Sequence, residues 1–318
     1  MGPTGIGPTG ISPTGRPPLG PALFGAGRPR WAERLIEALL LLAALASVAI
    51  TAGIVLVLVR ESIPFFREVP FGDFLLGTTW APTFEPARFG IVPLVCGTLV
   101  TTVVALLVAL PVGSVVAIYL SEYAPFSVRE LLKPTLELLS AIPTVVYGYF
   151  ALLFVSPQLK RLFSDMPGAN MLSAGIVMGI MIIPYVSSLS EDALRSVPML
   201  LREGAYALGA NKLITALRVV YPAALSGIGS AYILGISRAI GETMIVAIAA
   251  GGQANLTLDP RQPGQTITAY IVQISMGDVP RGTTGYQSIF AAGLTLFLFT
   301  LGFNIAGYIL RKRFRESY

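Results

Sequence analysis

Six apolar stretches dominate the chain, near residues 35–59, 92–120, 135–156, 171–190, 223–250 and 287–310. Each is about 20 residues or longer, which is what a helix needs to cross a hydrocarbon layer roughly 30 Å thick. Together they predict an all-α polytopic membrane protein with six transmembrane helices. The stretches between them differ in kind. Segments 60–91 and 251–286 are long and rich in Gly, Pro and Thr, and read as exposed loops. Segment 191–222, EDALRSVPMLLREGAYALGANKLITALRVVYP, is too polar to span and too patterned to be slack. Pro198 is placed to open a helix with apolar and small residues on one side. Gly209 permits a sharp turn, and 210–219 forms a second short helix ended before Pro222. Two short helices around a glycine make a compact knob.

Composition agrees with this pattern. The chain has 318 residues, of which 12% are charged, against about a quarter in ordinary soluble domains, and its mean hydropathy is +0.72. Residues 1–30 repeat GPTGI and its relatives and cannot pack a core, so they read as a disordered tail separate from a membrane-spanning body at 31–318. No short apolar core with a cleavage site follows the tail, so it is not read as a secretory signal. If the N-terminus is cytoplasmic, six spans return the C-terminus to the same side, and Lys and Arg outside the spans then fall two to one on the inner side. That bias predicts both termini in the cytoplasm and accounts for the net charge of +5 without a nucleic-acid partner.

The chemistry available is narrow. There is no His, the commonest general base and metal ligand, so hydrolytic or metal chemistry within the chain is not expected. Cys96 is the only cysteine and reads as a small residue in the second span. No G-x-x-x-x-G-K-[ST] phosphate loop is present, so any ATP and Mg must be handled by another polypeptide.

The fifth span, ILGISRAIGETMIVAIAAG, carries Arg238 and Glu242 within an apolar run. A charge at mid-membrane costs about 3 kcal/mol on insertion scales, so each needs a partner, protein or water. Spaced by four on one helix face, the two can satisfy each other. Three readings stay open: mutual neutralisation, a salt bridge to a neighbouring subunit, and an anion site on a substrate path. Arginine suits an oxyanion because its planar fork matches two oxygens. Glu242 can hold Arg238 in an empty site and accept a hydrogen bond from a protonated oxyanion in a filled one. Phosphate near neutral pH carries such a proton and sulfate does not.

Two motifs carry a resemblance. Glu203, Gly204, Ala205, three residues, Gly209, nine residues, Val219 and then Pro222 resembles the EAA loop of ABC importer permeases. Gly204, Val219 and Tyr221 stand where that family has Ala, Ile and Leu. SRAIGETM at 237–244, GTLVTTVVALLVALPVGSVVAIYLSEYAP at 97–125, ELLSAIPTVVYGYF at 137–150 and MIIPYVSSLSEDALRSVP at 181–198 are similar to permease subunits of ABC phosphate importers, of the PstC type in particular. The resemblance covers 31–318 and implies a type I ABC importer permease fold in the bacterial inner membrane, with the first span outside a five-helix core. It implies that Arg238 and Glu242 lie on the phosphate path and that Glu203 to Gly209, with Pro222, contact the ATPase. It also implies as partners a homologous permease (PstA type), an ATP-binding subunit dimer (PstB type) that holds ATP and Mg, and an extracytoplasmic phosphate-binding protein (PstS type), for which loops 60–91 and 251–286 are the expected docking face. The chain itself is then a transport subunit and not an enzyme.

Lesser candidates accompany these. Thr98, Thr101 and Thr102 put hydroxyls on the second span and Asn304 an amide in the sixth, as path-lining groups or as ordinary interhelical hydrogen bonds. Glu137 is expected near a helix N-terminus, where the dipole favours it. Pro111, Pro143, Pro184 and Pro222 suggest kinks. Two other readings remain: a permease for sulfate or molybdate, and an autonomous ion-coupled transporter without an ATPase.

Overall fold

The computed structural model describes residues 30–277 and 279–313, so the expectation of a disordered tail falls almost wholly outside the described residues. The chain divides into two compact units, Met1–Ile54 and Val55–Tyr318. In the first, the described residues form the beginning of helix α1 (Arg30–Glu68), whose apolar side chains such as Leu40, Leu42 and Val48 are uncovered by the chain, as lipid-facing residues are in a protein with no water to hide from.

In the second unit α1 runs on past the expected end of the first span, through Pro64, to Glu68. Segment 60–91 is therefore not slack. After α1 come α2 (Phe71–Leu76) and a hairpin of β1 (Trp80–Ala81) and β2 (Arg88–Phe89), with Trp80 opposite Phe89. Phe65, Phe74, Trp80 and Phe89 meet edge to face at ring separations of 5.3–6.3 Å, the arrangement their ring quadrupoles favour.

Helix α3 (Val92–Ile118) ends in a π-helical turn, Tyr119–Tyr123, and packs along α7 (Met171–Arg195), the most covered of the long helices. A Cβ on Gly179 of α7 would lie 2.7 Å from the Ala105 carbonyl oxygen of α3. Close packing through small residues is what holds membrane helices together where burial from water supplies nothing. Pro111 and Pro184 sit inside these two helices without ending them.

Two expected spans are broken. The third consists of α4 (Phe126–Ala141), then α5 (Thr144–Phe150), a π turn at Ala151–Val155 and α6 (Ser156–Leu162), bent by 87° at Ile142 and Pro143. Proline forces its predecessor out of the helical region, and Ile142 is extended, with ψ 130°. Glu137 is consequently not at a helix N-terminus. It is exposed in the last turns of α4, the end of a helix whose dipole disfavours a carboxylate. The knob contains α8 (Met199–Ala207), opened by Pro198, the turn at Gly209 with φ +83°, α9 (Lys212–Thr215), a π turn at Ala216–Val220 and α10 (Tyr221–Ala223). The second arm does not stop before Pro222. The widened turn ahead of it relieves the clash of the proline ring with the preceding carbonyls, and the chain bends by 72° only at Ala224, into α11 (Leu225–Ile240).

The fifth span is then interrupted again. α11 ends at Ile240, residues Gly241 to Thr243 leave the helix, and α12 (Met244–Ala249) is a separate piece. Segment 251–286, expected as a loop, contains the ten-residue helix α13 (Ile267–Met276), with Ile267, Ala269, Tyr270 and Ile274 buried. The last helix is α14 (Thr284–Arg313). Among the described residues four helices are long and apolar enough to cross a membrane, or up to six spans if each bent pair counts as one.

Candidate functional site: a broken helix and its clamp

Arg238 occupies the last turn of α11, where the free carbonyls of a helix end favour a cation. Its Nη2 lies 3.9 Å from Glu242 Oε2, at the outer limit of an ion pair. Because the helix stops at Ile240, the two do not share an intact helix face as their spacing suggested. Glu242 lies past the end, its N–H donating to the Ala239 carbonyl at 3.3 Å. The partners also differ in access: the Arg238 side chain is 41% exposed and that of Glu242 only 4%. The guanidinium stands 5.7 Å from the centroid of the Tyr185 ring on α7, a cation–π contact that steadies the arginine without using its fork.

What holds the break open comes from the segment taken for a loop. The Thr268 hydroxyl donates to the Glu242 carbonyl at 2.7 Å, and Thr266 and Thr268 share a hydrogen bond of 2.9 Å. Thr266 also caps α13 by accepting from the Ala269 N–H. From the other side, Thr98 on α3 accepts the Ile267 N–H at 3.1 Å while donating to Leu94. The start of α13 thus joins two residues picked out in the sequence, Thr98 and Glu242, and satisfies backbone groups the break would leave orphaned. The backbones are close here: a Cβ on Gly97 would lie 2.3 Å from the Gln265 carbonyl oxygen. Gly97→Ala is expected to destabilise the folded protein by about 1–3 kcal/mol, as overpacking does. Thermal unfolding of the purified membrane protein measures it.

The other sequence candidates separate by their partners. Thr101 donates to Gly97 and Thr98 carbonyls. The buried Thr102 hydroxyl has no hydrogen-bond partner among the described residues and is the free hydroxyl of the three. Asn304 is exposed, accepts from the Ser237 hydroxyl at 3.0 Å and donates to Thr300, tying α14 to α11 one residue from Arg238. Among the described residues no three His, Cys, Asp or Glu side chains converge as a metal site would require.

In the knob, Glu203, Gly204 and Gly209 are exposed, and Ala205 is buried. Beside them Arg202, which the sequence reading passed over, is buried and fully engaged. Its Nη2 is 2.9 Å from Glu122 Oε1 and 2.9 Å from the Leu194 carbonyl, and its Nη1 is 2.6 Å from the Val197 carbonyl. Nearby, the carboxylate of Glu191 at the end of α7 is wholly buried and faces three cations: Arg129 at 2.6 Å and Lys133 at 3.1 Å from α4, and Arg195 at 3.8 Å. No spacing rule flags the Arg129, Lys133 and Arg202 pairings, because their partners lie 62, 58 and 80 residues away; only the Arg195 contact, four residues from Glu191, follows from helix spacing.

Comparison with known proteins places this architecture. Residues 109–316 match the family described as binding-protein-dependent transport system inner membrane component. A protein of Bacillus subtilis (strain 168), the probable ABC transporter permease protein YqgH, is 36% identical over 72% of this chain and 75% of its own length. The phosphate transport system permease protein PstC of Haemophilus influenzae is 32% identical over 90% of this chain and 95% of its own. Among solved structures, a bacterial alginate ABC transporter in complex with alginate pentasaccharide-bound periplasmic protein superimposes with a TM-score of 0.63 at 15% identity, covering 90% of this chain and 97% of that one, and an inward-facing MetNI methionine ABC transporter with 0.52 at 17% identity, covering 71% and 95%. Such low identities establish the fold alone, whereas the match over residues 109–316 and the 36% identity establish the family: the chain belongs to the binding-protein-dependent transport system inner membrane components, as a permease subunit of an ABC importer.

Proposed function

We propose that this subunit is the PstC-type permease of a phosphate importer and that phosphate passes the break between α11 and α12 by alternating access, with Arg238 as its electrostatic contact. The observation that carries the reading is the loosely held arginine: a guanidinium 41% exposed, 3.9 Å from its carboxylate, at a helix interruption braced by α3 and α13. A structural ion pair closes to hydrogen-bond distance, as Arg202 and Glu122 do at 2.9 Å. A binding fork must be able to let go of its internal partner. Thr102 and Asn304 are the further hydroxyl and amide groups assigned to the route, Thr98 acts on it through its brace on α13, and the 32% identity to a protein named as a phosphate permease agrees with the cargo.

The knob is the proposed contact with the ATP-binding subunits, which hold ATP and Mg. Around the exposed Glu203, Gly204 and Gly209 it presents Met199, Leu200, Leu208, Leu213, Ile214 and Leu217 uncovered, exposed apolar side chains of the kind that a protein interface covers. This orientation puts both termini in the cytoplasm and the aromatic hairpin on the outer face, toward a PstS-type binding protein, with a PstA-type permease as the other half of the pathway and PstB-type subunits on the knob. The test is ATP hydrolysis by the reconstituted complex: phosphate-loaded binding protein stimulates it, and sulfate or molybdate with the same protein does not. Stimulation by sulfate or molybdate alone assigns the complex to another oxyanion, and turnover without any ATP-binding subunit assigns the chain to ion-coupled transport.

Glu242 supplies the selectivity in this reading, by accepting a hydrogen bond from the proton that phosphate and arsenate retain. Glu242→Gln is expected to narrow the preference for phosphate over sulfate in competition uptake by about tenfold, the worth of one hydrogen bond to a charged group. An unchanged preference removes the carboxylate from the selectivity mechanism.

A further inference from the structure

Helix α3 has no covalent link to the knob, whose arms continue α7 and α11. Yet its terminal π turn touches both arms through adjacent residues. Glu122, with its side chain 6% exposed, binds Arg202 of the first arm at 2.9 Å, and Tyr123 receives Lys212 of the second arm over its ring, with Nζ 5.0 Å from the centroid. The Arg202 contact is rigid, because the same guanidinium is pinned to the Leu194 and Val197 carbonyls at the end of α7. Behind it, Ala117 of α3 packs in one apolar cluster with Leu194, Val197, Val220, Ala224 and Ile228. One level higher, Ser114 of α3 shares a hydrogen bond with Tyr232, which shares another with Tyr221 of the second arm.

We infer that Glu122 and Tyr123 are positioning residues that clamp α3 to the coupling knob, so that a displacement of the knob moves a third helix carrying Thr98 and Thr102 along with the two it is joined to. This rests on the reading of the knob as the ATPase contact. The π turn makes the clamp possible: widening the helix by one residue lets neighbours 122 and 123, which diverge by about 100° on a regular helix, reach the two arms of a single knob. A helix held at this end transmits motion to its far end, where Thr98 braces α13 and thereby the Glu242 break. Packing alone would let α3 lag; a buried charge pair and a cation–π contact fix its register with the knob.

The experiment uses the complete complex in proteoliposomes and compares phosphate transported per ATP hydrolysed for wild type, Glu122→Gln, Tyr123→Leu and Tyr123→Phe. Glu122→Gln keeps shape and loses charge. Tyr123→Leu removes the ring from a partly exposed position and Tyr123→Phe retains it. Transport per ATP is expected to fall about fivefold or more in Glu122→Gln and Tyr123→Leu, the range of a modest coupling energy, with basal hydrolysis retained and Tyr123→Phe like wild type. An unchanged ratio, a parallel loss of transport and hydrolysis, or a Phe variant as poor as Leu overturns the clamp. If Glu122→Gln does not assemble, the two Tyr123 variants decide. Glu203→Lys separates this from the underlying reading: if that exchange leaves the ATP-binding subunits attached and stimulated, the knob is not their contact and the clamp falls with it. If it dislodges them, the clamp stands or falls on the ratio.

Discussion

Arg238→Lys is expected to lower phosphate uptake about tenfold or more while ATP hydrolysis still responds to loaded binding protein. Lysine keeps the positive charge in the last turn of α11, so the favourable interaction with the helix terminus survives. It also keeps an ammonium able to pair with Glu242. What it loses is the planar fork, and with it one of two parallel charge-assisted hydrogen bonds to an oxyanion, worth about 1.5–3 kcal/mol, or tenfold and upward. If Arg238 only neutralises Glu242 or caps the helix, lysine serves as well, and uptake stays within about twofold. Initial rates of labelled phosphate uptake, normalised to assembled complex, separate these outcomes. They also separate the anion-site reading of the charged pair from the two ion-pair readings left open in the sequence.

Glu191→Ala is expected to cause the largest loss of stability, about 3 kcal/mol, the usual cost of removing one partner from a buried ion pair. The carboxylate is wholly buried, whereas its partners Arg129 and Lys133 are about a quarter exposed and Arg195 nearly half. Lys133 retains Asp192 at 2.9 Å, so the damage falls on Arg129 and Arg195. Arg129 is the more serious, because its Nε to Glu191 Oε1 contact of 2.6 Å is the shortest of the ion pairs between α4 and α7, and with Glu191 gone only Lys133–Asp192 remains of those pairs. Helix α4 buries no side chain of its own. It therefore depends on these ion pairs to an unusual degree, and Glu191→Ala is expected to free α4 before the rest of the chain melts. Hydrogen exchange on α4 together with thermal unfolding tests this. Equal protection of α4 in wild type and variant would show that its contacts lie elsewhere.

These features were not equally legible in the sequence. Hydrophobic runs gave four uninterrupted spans, because twenty apolar residues have few other options in lipid. They could not give the break after Ile240. The run from Leu225 to Ala250 is apolar enough to read as one span despite Arg238 and Glu242, and the Thr268 hydroxyl that accompanies the interruption by bonding the Glu242 carbonyl lies 26 residues away. For the same reason α13 was hidden: QTITAYIVQISM carries its own cap at Thr266 and an apolar face, but ten residues are too short to register as a span. Thr266 followed by an apolar run was the available signal. Pro143 announced the 87° bend, since proline restricts its predecessor locally. Pro222 did not end its helix, because a π turn is a tertiary adjustment that local rules do not contain. The knob was readable in outline from Pro198, Gly209 and their spacing, whereas Glu122 and Arg202, 80 residues apart, became partners only in the folded chain.

The most direct test of a phosphate path through this subunit is ATP-dependent uptake of labelled phosphate and labelled sulfate by proteoliposomes holding the complete wild-type complex, side by side at equal concentration. Phosphate accumulation that needs ATP and the binding protein, with sulfate at background, is the predicted result. Sulfate accumulation equal to or above that of phosphate would contradict it.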